Sequence, residues 1–526
     1  MPDGNSTVAV LLDRQLSASG YGLDPDALAG RLTEIDPSLL VEIADSLEAD
    51  SGALSDAVIG TGARRTVVGL PGQRLRVADV QQAARDAGID QFGIWPVELG
   101  TLSCRVANPE DRLAHAALMV LGSLERARAY RGSRQQNLRP ERPSRAGLES
   151  LFSLPELEYR PAPTVRRDRC RASKGCRQCV DGCPHNALRI ADGQVRLRKQ
   201  DCTSCGICLS ACPTEAINFP SAMPAEIHEQ VTRLLDEDID GADERGILFV
   251  CPNTMQNLAA REFDLSPGWL PVEVPCLGML TVQWLLAPLR LGAGAVGLVP
   301  CIDNCRSGQI DQMRQRVSYC QALLREAWDM PEAVQIAPAG DAGLRAFLAD
   351  EVAFSGYAFE DEPNCAFRYD ARTDVALDVA TADDAGLDWV VRHPASPFAS
   401  VRATDGCTLC GSCAAACPAD ALQILHDASS EVALTFDAQR CVTCEQCLPA
   451  CPESNVLHVD RTTDFALLSG GRITLHRDKV DLCERCGKPI STNKMMGRIA
   501  ELLGEEHSAT LNVISRFCTN CRGISS

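Results

Sequence analysis

Four copies of one cysteine motif constrain this 526-residue chain more than any other feature. Each copy has three closely spaced cysteines, then three further residues, a fourth cysteine and a proline. Two residues separate the first three cysteines, except that RASKG separates Cys170 from Cys176 in the first copy. Three thiolates at this spacing line one tight loop, which predicts a bound metal cluster. The copies form two pairs, with cysteines at Cys170, Cys176, Cys179, Cys183, Cys202, Cys205, Cys208, Cys212, Cys407, Cys410, Cys413, Cys417, Cys441, Cys444, Cys447 and Cys451.

The CxxCxxCxxxCP run resembles that of bacterial-type ferredoxins, in which the fourth cysteine ligates the [4Fe-4S] cluster of the paired motif. Zinc is the alternative, but zinc sites rarely use this run. Small residues such as Gly206, Ser412 and Ala414 would let backbone N–H groups approach the sulfurs. We expect the fourth cysteine to start a short helix.

The resemblance implies four [4Fe-4S] sites, each with one cysteine crossing over from the paired motif. The first site would be Cys170, Cys176, Cys179 and Cys212, and the second Cys202, Cys205, Cys208 and Cys183. The third would be Cys407, Cys410, Cys413 and Cys451, and the fourth Cys441, Cys444, Cys447 and Cys417. An apolar segment follows each motif (ALRI, AINF, ALQI, NVLHV) and predicts a strand that covers the cluster. We therefore expect dicluster ferredoxin domains at 166–222 and 396–460.

The segment 223–355 contains three apolar runs that close on Cys251, Cys276 and Cys301, with Cys305 shortly after. This pattern predicts parallel strands whose carboxyl ends meet at one crevice, the place where open α/β sheets bind ligands. Helices at LTVQWLLAPLRLG and IDQMRQRVSYCQALLREAW would supply the crossovers. Gly292-x-Gly294-x-x-Gly297 has the letters of a dinucleotide fingerprint, but it ends a helix and opens a strand, the reverse of the required order.

This segment resembles the iron-sulfur delta subunit of methyl-viologen-reducing hydrogenases, which links a hydrogenase to heterodisulfide reductase. The matching residues are the Cys276-Leu-Gly step, the GAGAVGLVPC run and the CRSGQIDQMRQR helix start. The resemblance implies a [2Fe-2S] cluster on Cys251, Cys276, Cys301 and Cys305; a zinc site and a remnant without a cofactor are the alternatives. The sequence departs from the family where Pro252 and Asn253 stand in place of a further cysteine, and in the spacing of the last pair.

The C-terminal segment 461–526 carries Cys483-x2-Cys486 and Cys518-x2-Cys521, with the helix TNKMMGRIAELLGEEH between them. Two such knuckles predict a four-thiolate zinc site; an additional iron-sulfur cluster and free thiols are the alternatives. Of the 27 cysteines, only Cys104, Cys320 and Cys365 then have no assigned site.

Residues 1–123 alternate strand and helix patterns and resemble the amino-terminal part of heterodisulfide reductase large subunits without its cluster cysteines. This resemblance implies a docking or structural role. Segments 124–165 and 356–395 are expected to be linkers. Residues 124–171 hold twelve arginines against six acidic residues, which indicates a solvated linker or a docking strip for an acidic partner.

The fold class is therefore α+β and α/β multidomain: two dicluster ferredoxin-like domains, a parallel-sheet α/β middle domain, an α/β N-terminal domain and a small four-cysteine module. The formal net charge of -19 disfavours nucleic acid as a partner. No secretory signal or transmembrane segment is recognisable, so we expect a cytoplasmic protein.

A series of clusters on one chain predicts electron transfer, as a polyferredoxin-like subunit or accessory protein of a redox enzyme. By resemblance the partner would be a hydrogenase, a heterodisulfide-reductase-like complex or a formate dehydrogenase. The chain carries no hydrolase, zinc-protease or haem motif, so we expect no catalysis by the chain alone. One alternative is a disulfide or thiol reductase with an active cluster in the middle crevice. The other is a metalloenzyme assembly factor whose clusters only stabilise its fold.

Overall fold

The computed structural model describes residues 8–18, 20–49, 51–72, 75–132, 138–140, 159–219, 222–301, 305, 308–352, 389–426, 431–504 and 507–522. Contacts divide the chain into two compact units. The first comprises residues 1–170, 178–191 and 195–382, and the second 171–177, 192–194 and 383–526. No helix in the described part combines the length and the apolar character needed to span a bilayer.

The N-terminal domain is a four-stranded parallel sheet in the order β2-β1-β3-β4, as its alternating pattern predicts. Every residue of β1 is buried, because helices cover both faces of a parallel sheet. The strands are β1 (Val8–Asp13), β2 (Leu40–Ala44), β3 (Arg65–Leu70) and β4 (Ile94–Glu98). The helices are α1 (Pro25–Ile35), α2 (Ser51–Thr61), α3 (Val77–Asp86) and α4 (Pro109–Ala129).

Helix α4 begins at an Asn108 cap and continues through Ala129, so residues 124–129 are helical and not part of a linker. Two arginines of the Arg-rich strip lie on this helix and make internal contacts. Arg126 donates to the Glu273 carbonyl at 2.9 Å, and Arg128 pairs with Asp36 at 3.1 Å. The buried His115 ring nitrogen lies 3.0 Å from the Trp269 carbonyl. Helix α4 therefore joins the N-terminal domain to the domain that contains Trp269.

Short elements surround the first two cysteine motifs. Strand β7 pairs antiparallel with β10, and β5 pairs with β6. The strands are β5 (Leu138–Pro140), β6 (Tyr159–Pro161), β7 (Thr164–Val165), β8 (Leu188–Ala191), β9 (Gln194–Leu197) and β10 (Ile217–Asn218). The helices are α5 (Gln178–Asp181), α6 (Ile207–Ser210) and α7 (Pro224–Leu234).

The middle domain is a second four-stranded parallel sheet, in the order β12-β11-β13-β14. Counting strands within each domain, this is the strand order of the N-terminal sheet. The strands are β11 (Gly246–Val250), β12 (Trp269–Glu273), β13 (Ala295–Leu298) and β14 (Val334–Ile336). The helices are α8 (Pro252–Ala259), α9 (Val282–Arg290), α10 (Ile310–Trp328) and α11 (Asp341–Ala349). Cys251 follows β11 directly, whereas Cys276 and Cys301 each stand three residues beyond the ends of their strands, β12 and β13.

The second unit contains two antiparallel sheets, in the orders β15-β19-β16 and β17-β18-β20-β21. The strands are β15 (Val390–Arg392), β16 (Ala399–Ala403), β17 (Leu422–His426), β18 (Glu431–Asp437), β19 (Leu457–Asp464), β20 (Arg472–Leu482) and β21 (Pro489–Thr492). The helices are α12 (Ser412–Ala415), α13 (Cys447–Ala450), α14 (Phe465–Ser469), α15 (Asn493–Leu503) and α16 (Ser508–Arg516). Strand β20 pairs with β18, so the C-terminal segment extends a sheet of the ferredoxin-like region rather than forming a separate body.

Candidate iron-sulfur and metal centres

The four cysteine motifs fold into loops with one recurring backbone feature. The residue before the second cysteine has a positive φ in every motif, between 51° and 89°. A left-handed conformation is costly for a non-glycine residue and persists only where the surroundings impose it. Three of the four residues are not glycine, so their recurrence indicates a shared loop geometry. They are Gly175, Ser204, Leu409 and Thr443.

A second shared feature is a backbone hydrogen bond to the sulfur of the fourth cysteine. In three motifs the amide four residues later donates to this sulfur, at 3.2–3.3 Å: Ala187 to Cys183, Ala216 to Cys212, and Ala421 to Cys417. Such bonds stabilise a thiolate ligand and tune the bound metal. The fourth motif has one extra residue before its strand, and there the Cys451 sulfur lies 3.5 Å from the Glu453 carbonyl oxygen.

The expectation that the fourth cysteine starts a short helix is wrong. The four short helices α5, α6, α12 and α13 contain the third cysteine and end before the fourth. The proline after each fourth cysteine explains this, because the residue before a proline is disfavoured in the helical conformation. The fourth cysteine therefore leaves the helix in an extended turn.

The third predicted set comes together around one cavity. Cys407, Cys410, Cys413 and Cys451 all line it, although Cys451 belongs to a different motif. Burial raises the pKa of Cys413 to about 12, and the charges of the other three cysteines add to the rise. Four thiols that share one cavity fit a bound cluster, since the metal would offset the charge repulsion between their thiolates.

The second predicted set lines another cavity, formed by Cys183, Cys202, Cys205 and Cys208. Burial raises the pKa of Cys208, and the neighbouring cysteine charges, that of Cys183 among them, act in the same direction. The crossover residue Cys183 therefore lies beside the three cysteines of the following motif.

The fourth predicted set is also brought together. Burial raises the pKa of Cys447 to about 12. The charges of four neighbouring cysteines act in the same direction: Cys441, Cys444, Cys413 and Cys417. Because Cys413 belongs to the third set, the third and fourth sites are neighbours. The first predicted set is divided between the units: Cys176 groups with the second unit, and Cys170, Cys179 and Cys212 with the first.

The four middle-domain cysteines converge near the carboxyl ends of β11, β12 and β13. A hydrogen bond with Cys301 lowers the pKa of Cys251 to about 6. The same bond, burial and the charges of Cys251, Cys305 and Cys276 raise the pKa of Cys301. Cys251 and Cys301 are thus hydrogen-bonded to each other, and Cys276 and Cys305 lie near enough for their charges to act on Cys301, which fits a common metal centre.

Two residues at this site were not predicted from the sequence. The Thr254 hydroxyl lies 3.3 Å from the Cys251 sulfur and donates to the Val299 carbonyl at 2.9 Å. Arg316 donates to the carbonyls of Gly278 and Leu280, each at 2.8 Å, and so fixes the loop that follows Cys276. No local motif marks either residue: Thr254 is the third residue of α8 and Arg316 the seventh of α10, and neither residue type is a cluster ligand.

Two regions of the chain match a protein family that binds iron-sulfur clusters. The 4Fe-4S dicluster domain matches twice, at residues 169–216 and 406–455. A ferredoxin of Methanothermococcus thermolithotrophicus is 38% identical over 55 residues, which are 10% of this chain and 90% of that protein. The chain belongs to the dicluster ferredoxin family. Its ferredoxin domains make it an iron-sulfur protein of electron transfer.

The middle domain matches a second family, the delta subunit of methyl-viologen-reducing hydrogenase, over residues 247–351. Larger relatives match over short regions only. Formate hydrogenlyase subunit 2 of Escherichia coli is 40% identical over 82 residues, 15% of this chain and 38% of that protein. A component of an ion-translocating oxidoreductase complex of Methanosarcina acetivorans is 37% identical over 45 residues, 9% of this chain and 17% of that protein. The ferredoxin-family chain therefore spans less than half of these two relatives.

Beyond the ferredoxin domains, the sulfurs of Cys483, Cys486, Cys518 and Cys521 all lie within 4.8 Å of one another. Cys486 and Cys518 sulfurs are 3.6 Å apart. A tetrahedral ion with Zn–S bonds of about 2.3 Å places its sulfurs about 3.8 Å apart. Backbone hydrogen bonds, first from the Cys518 amide, lower the pKa of Cys483 to about 6, which favours the thiolate that a metal needs. The group thus fits one four-coordinate ion.

The three cysteines without an assigned site differ in their surroundings. Cys320 is buried on α10, and burial raises its pKa. Burial also raises the pKa of Cys104, to about 11. Both are therefore protonated and poor ligands at neutral pH. Cys365 lies outside the described residues.

Proposed function

We propose that this chain is an electron-transfer subunit in which the first ferredoxin domain exchanges electrons with the delta-subunit-like domain. One contact carries the proposal: the loop Cys205–Cys208 packs against the loop after Cys276. A Cβ atom added to Gly206 would lie 3.0 Å from the Met279 sulfur. A Cβ atom added to Gly278 would lie 3.3 Å from the Ile207 Cδ1 atom.

The close approach of these loops matters because electron tunnelling weakens steeply with distance. Gly206 stands between two predicted ligands of the second cluster, and Gly278 is two residues from Cys276. Each contact joins a glycine of one loop to a side chain of the other: Met279 packs on Gly206, and Ile207 packs on Gly278. The second site and the middle site are therefore joined by van der Waals contact between their ligand loops.

Each site has its proposed occupant. The four cubane sites would use the sixteen motif cysteines with the crossover described above. A [2Fe-2S] cluster on Cys251, Cys276, Cys301 and Cys305 would accept or supply single electrons at the middle site. A zinc ion on Cys483, Cys486, Cys518 and Cys521 would have a structural role, because four thiolates close its coordination.

The proposed partner is a hydrogenase, a heterodisulfide-reductase-like complex or a formate dehydrogenase. The delta-subunit match supports the first two, and the likeness to a formate hydrogenlyase subunit supports the third. These enzymes handle electrons at buried centres, so a chain with several clusters would link such a centre to a distant redox site.

Anoxic reconstitution tests the proposed function. We expect about 18 iron atoms per chain, from four cubanes and one [2Fe-2S] cluster. Reduction should produce S = 1/2 signals by electron paramagnetic resonance (EPR), because each reduced cluster carries one unpaired spin. An iron content below about 8 per chain would contradict four cubane sites. A fully loaded chain whose clusters cannot be reduced would instead favour the assembly factor with purely structural clusters.

A disulfide reductase is the second candidate, and one observation favours it. A cavity of about 170 Å3 beside the middle site is lined by Thr254, Asn257 and Arg261, among others. Thr254 also contacts the Cys251 sulfur, so a small molecule in this cavity would lie near the middle site. Such a reaction takes two electrons and two protons per disulfide and yields two thiols. We expect the pre-reduced chain alone to turn over no small disulfide; turnover without a partner would favour the reductase.

A further inference from the structure

The C-terminal module holds the loop that contains Cys407. Thr492, the cap residue of helix α15, donates from its hydroxyl to the Thr408 carbonyl at 2.9 Å. Lys494, in the first turn of α15, donates from its ammonium to the Asp405 carbonyl at 2.6 Å. The two contacts fix the backbone on both sides of Cys407. One helix end therefore determines where this predicted ligand lies.

The same helix reaches the crossover ligand of the third site. Arg498 pairs with Glu453 at 3.1 Å, and Glu453 lies two residues after Cys451 and lines the third cavity. The Arg498 cation offsets the charge of the Glu453 carboxylate. Lys494 is therefore the cation that helix α15 adds to the third site.

The carboxylate paired with the Lys494 ammonium is distant and exposed to solvent, which weakens the pair. The ammonium lies 3.0 Å from the His476 Nε2 atom and 3.9 Å from the fully exposed Asp405 carboxylate. Burial, and then the Lys494 charge, lower the pKa of His476, so the imidazole is neutral and accepts the hydrogen bond. The ammonium also acts on the Cys407 thiol, where it opposes the rise in pKa that burial causes.

The fourth site has a carboxylate and a guanidinium beside it. The Glu445 carboxylate follows Cys444 directly and adds to the burial that raises the pKa of this thiol. Arg461 lies 3.4 Å from Glu445 and donates to the Thr443 carbonyl of the same loop at 3.0 Å. Each of the two neighbouring sites therefore has one glutamate–arginine pair, and Lys494 is the additional cation at the third.

We propose that Lys494 raises the reduction potential of the third site above that of the fourth, so that electrons in the second ferredoxin domain run from the fourth site to the third. This inference rests on the proposed function, because each site must hold a cluster. Reduction adds one negative charge to a site, and a nearby cation stabilises that charge, whereas a nearby anion opposes it. In the transfer the fourth site loses one electron and the third gains it.

The test is a redox titration of the full reconstituted chain, followed by EPR under anoxic conditions. The signal of the third site is the one that a Cys451→Ser variant lacks. In Lys494→Met, the reduced-to-oxidised ratio of this site at a fixed potential should fall about tenfold, or about 59 mV for a one-electron couple. The other signals should keep their midpoints. Lys494→Gln keeps a hydrogen-bond donor for the Asp405 carbonyl but carries no charge. It should therefore lower the midpoint as Lys494→Met does.

Two further variants separate charge from structure. Lys479→Met removes an exposed lysine of β20 and should leave the third midpoint unchanged, although the net charge changes equally. Lys494→Arg should restore the wild-type midpoint, because it restores the cation. The inference is overturned if the third midpoint stays constant in both neutral variants, or if Lys494→Arg shifts it as far as Lys494→Met. A wild-type chain with no cluster at the third site would contradict the proposed function itself.

Discussion

Replacing Cys451 by serine should abolish the third cluster and leave the fourth intact, although Cys451 belongs to the fourth motif. The reason is spatial: Cys451 lines one cavity with Cys407, Cys410 and Cys413. A serine hydroxyl is a far poorer iron ligand than a thiolate, so the third site loses a corner of its coordination. We expect a loss of up to about 4 iron atoms per chain and of one reducible EPR signal.

Serine variants of cysteines from the same motif test the crossover directly. Cys407→Ser and Cys451→Ser should lose the same signal, whereas Cys441→Ser and Cys417→Ser should lose the other. Cys104→Ser serves as the control, because Cys104 lies outside all the proposed sites and should retain every signal. If Cys451→Ser and Cys441→Ser lose the same signal, each motif ligates its own cluster and the crossover is wrong.

The cysteine spacing predicted the three-cysteine loops, whereas the crossover cysteine of each site was implied by the resemblance to ferredoxins. Spacing works here because each loop is short, so the chain between the cysteines has few ways to place three sulfurs on one side. The short helix ends before the fourth cysteine rather than beginning there, because the following proline disfavours the helical conformation at that cysteine. The left-handed residues Leu409 and Thr443 could not be predicted either, because only the folded loop forces a residue with a side chain into that conformation.

In the α/β domains the long buried strands could be predicted, but the short strand and the strand order could not. Buried strands such as β11 and β13 are clear from their continuous apolar runs, and the cysteines after them predicted a shared crevice. Strand β14 was missed because it has three residues, of which Gln335 is polar. The common strand order of both sheets was not predicted, since a parallel strand pairs through a crossover and its sequence does not state on which side it joins.

The sequence did not predict the residues that act on a cysteine site from a distant part of the chain. Lys494 reaches Cys407 because β20 pairs with β18 and β21 returns the chain to the ferredoxin region. Arg316 reaches the Cys276 loop from α10, the helix that follows β13 in the chain. Each depends on long-range packing and has no local motif, so the pattern of cysteines alone gives no sign of it.

The C-terminal module should unfold when its metal ligands are removed. Neither α15 nor α16 contains a buried residue. The core of this part consists of Cys483, Cys518 and Cys521, with the partly buried Ile490 and Phe517 packed against them. So small an apolar core cannot offset the loss of conformational entropy on folding. We therefore expect the proposed ion to supply the folding free energy, which for structural zinc in zinc-finger peptides is about 10–16 kcal/mol.

Hydrogen exchange on Cys518→Ser, with metal content measured alongside, checks this prediction. Amide protection in α15 and α16 should disappear, while β18 and the strands of the ferredoxin domain keep theirs. Cys104→Ser again provides the control with an intact module. Because α15 contains Lys494, the midpoint of the third site should also fall in Cys518→Ser, as in Lys494→Met. If the metal-free variant keeps its helical protection, the thiols have no structural ion, and the helices are held by β20 and β21 alone.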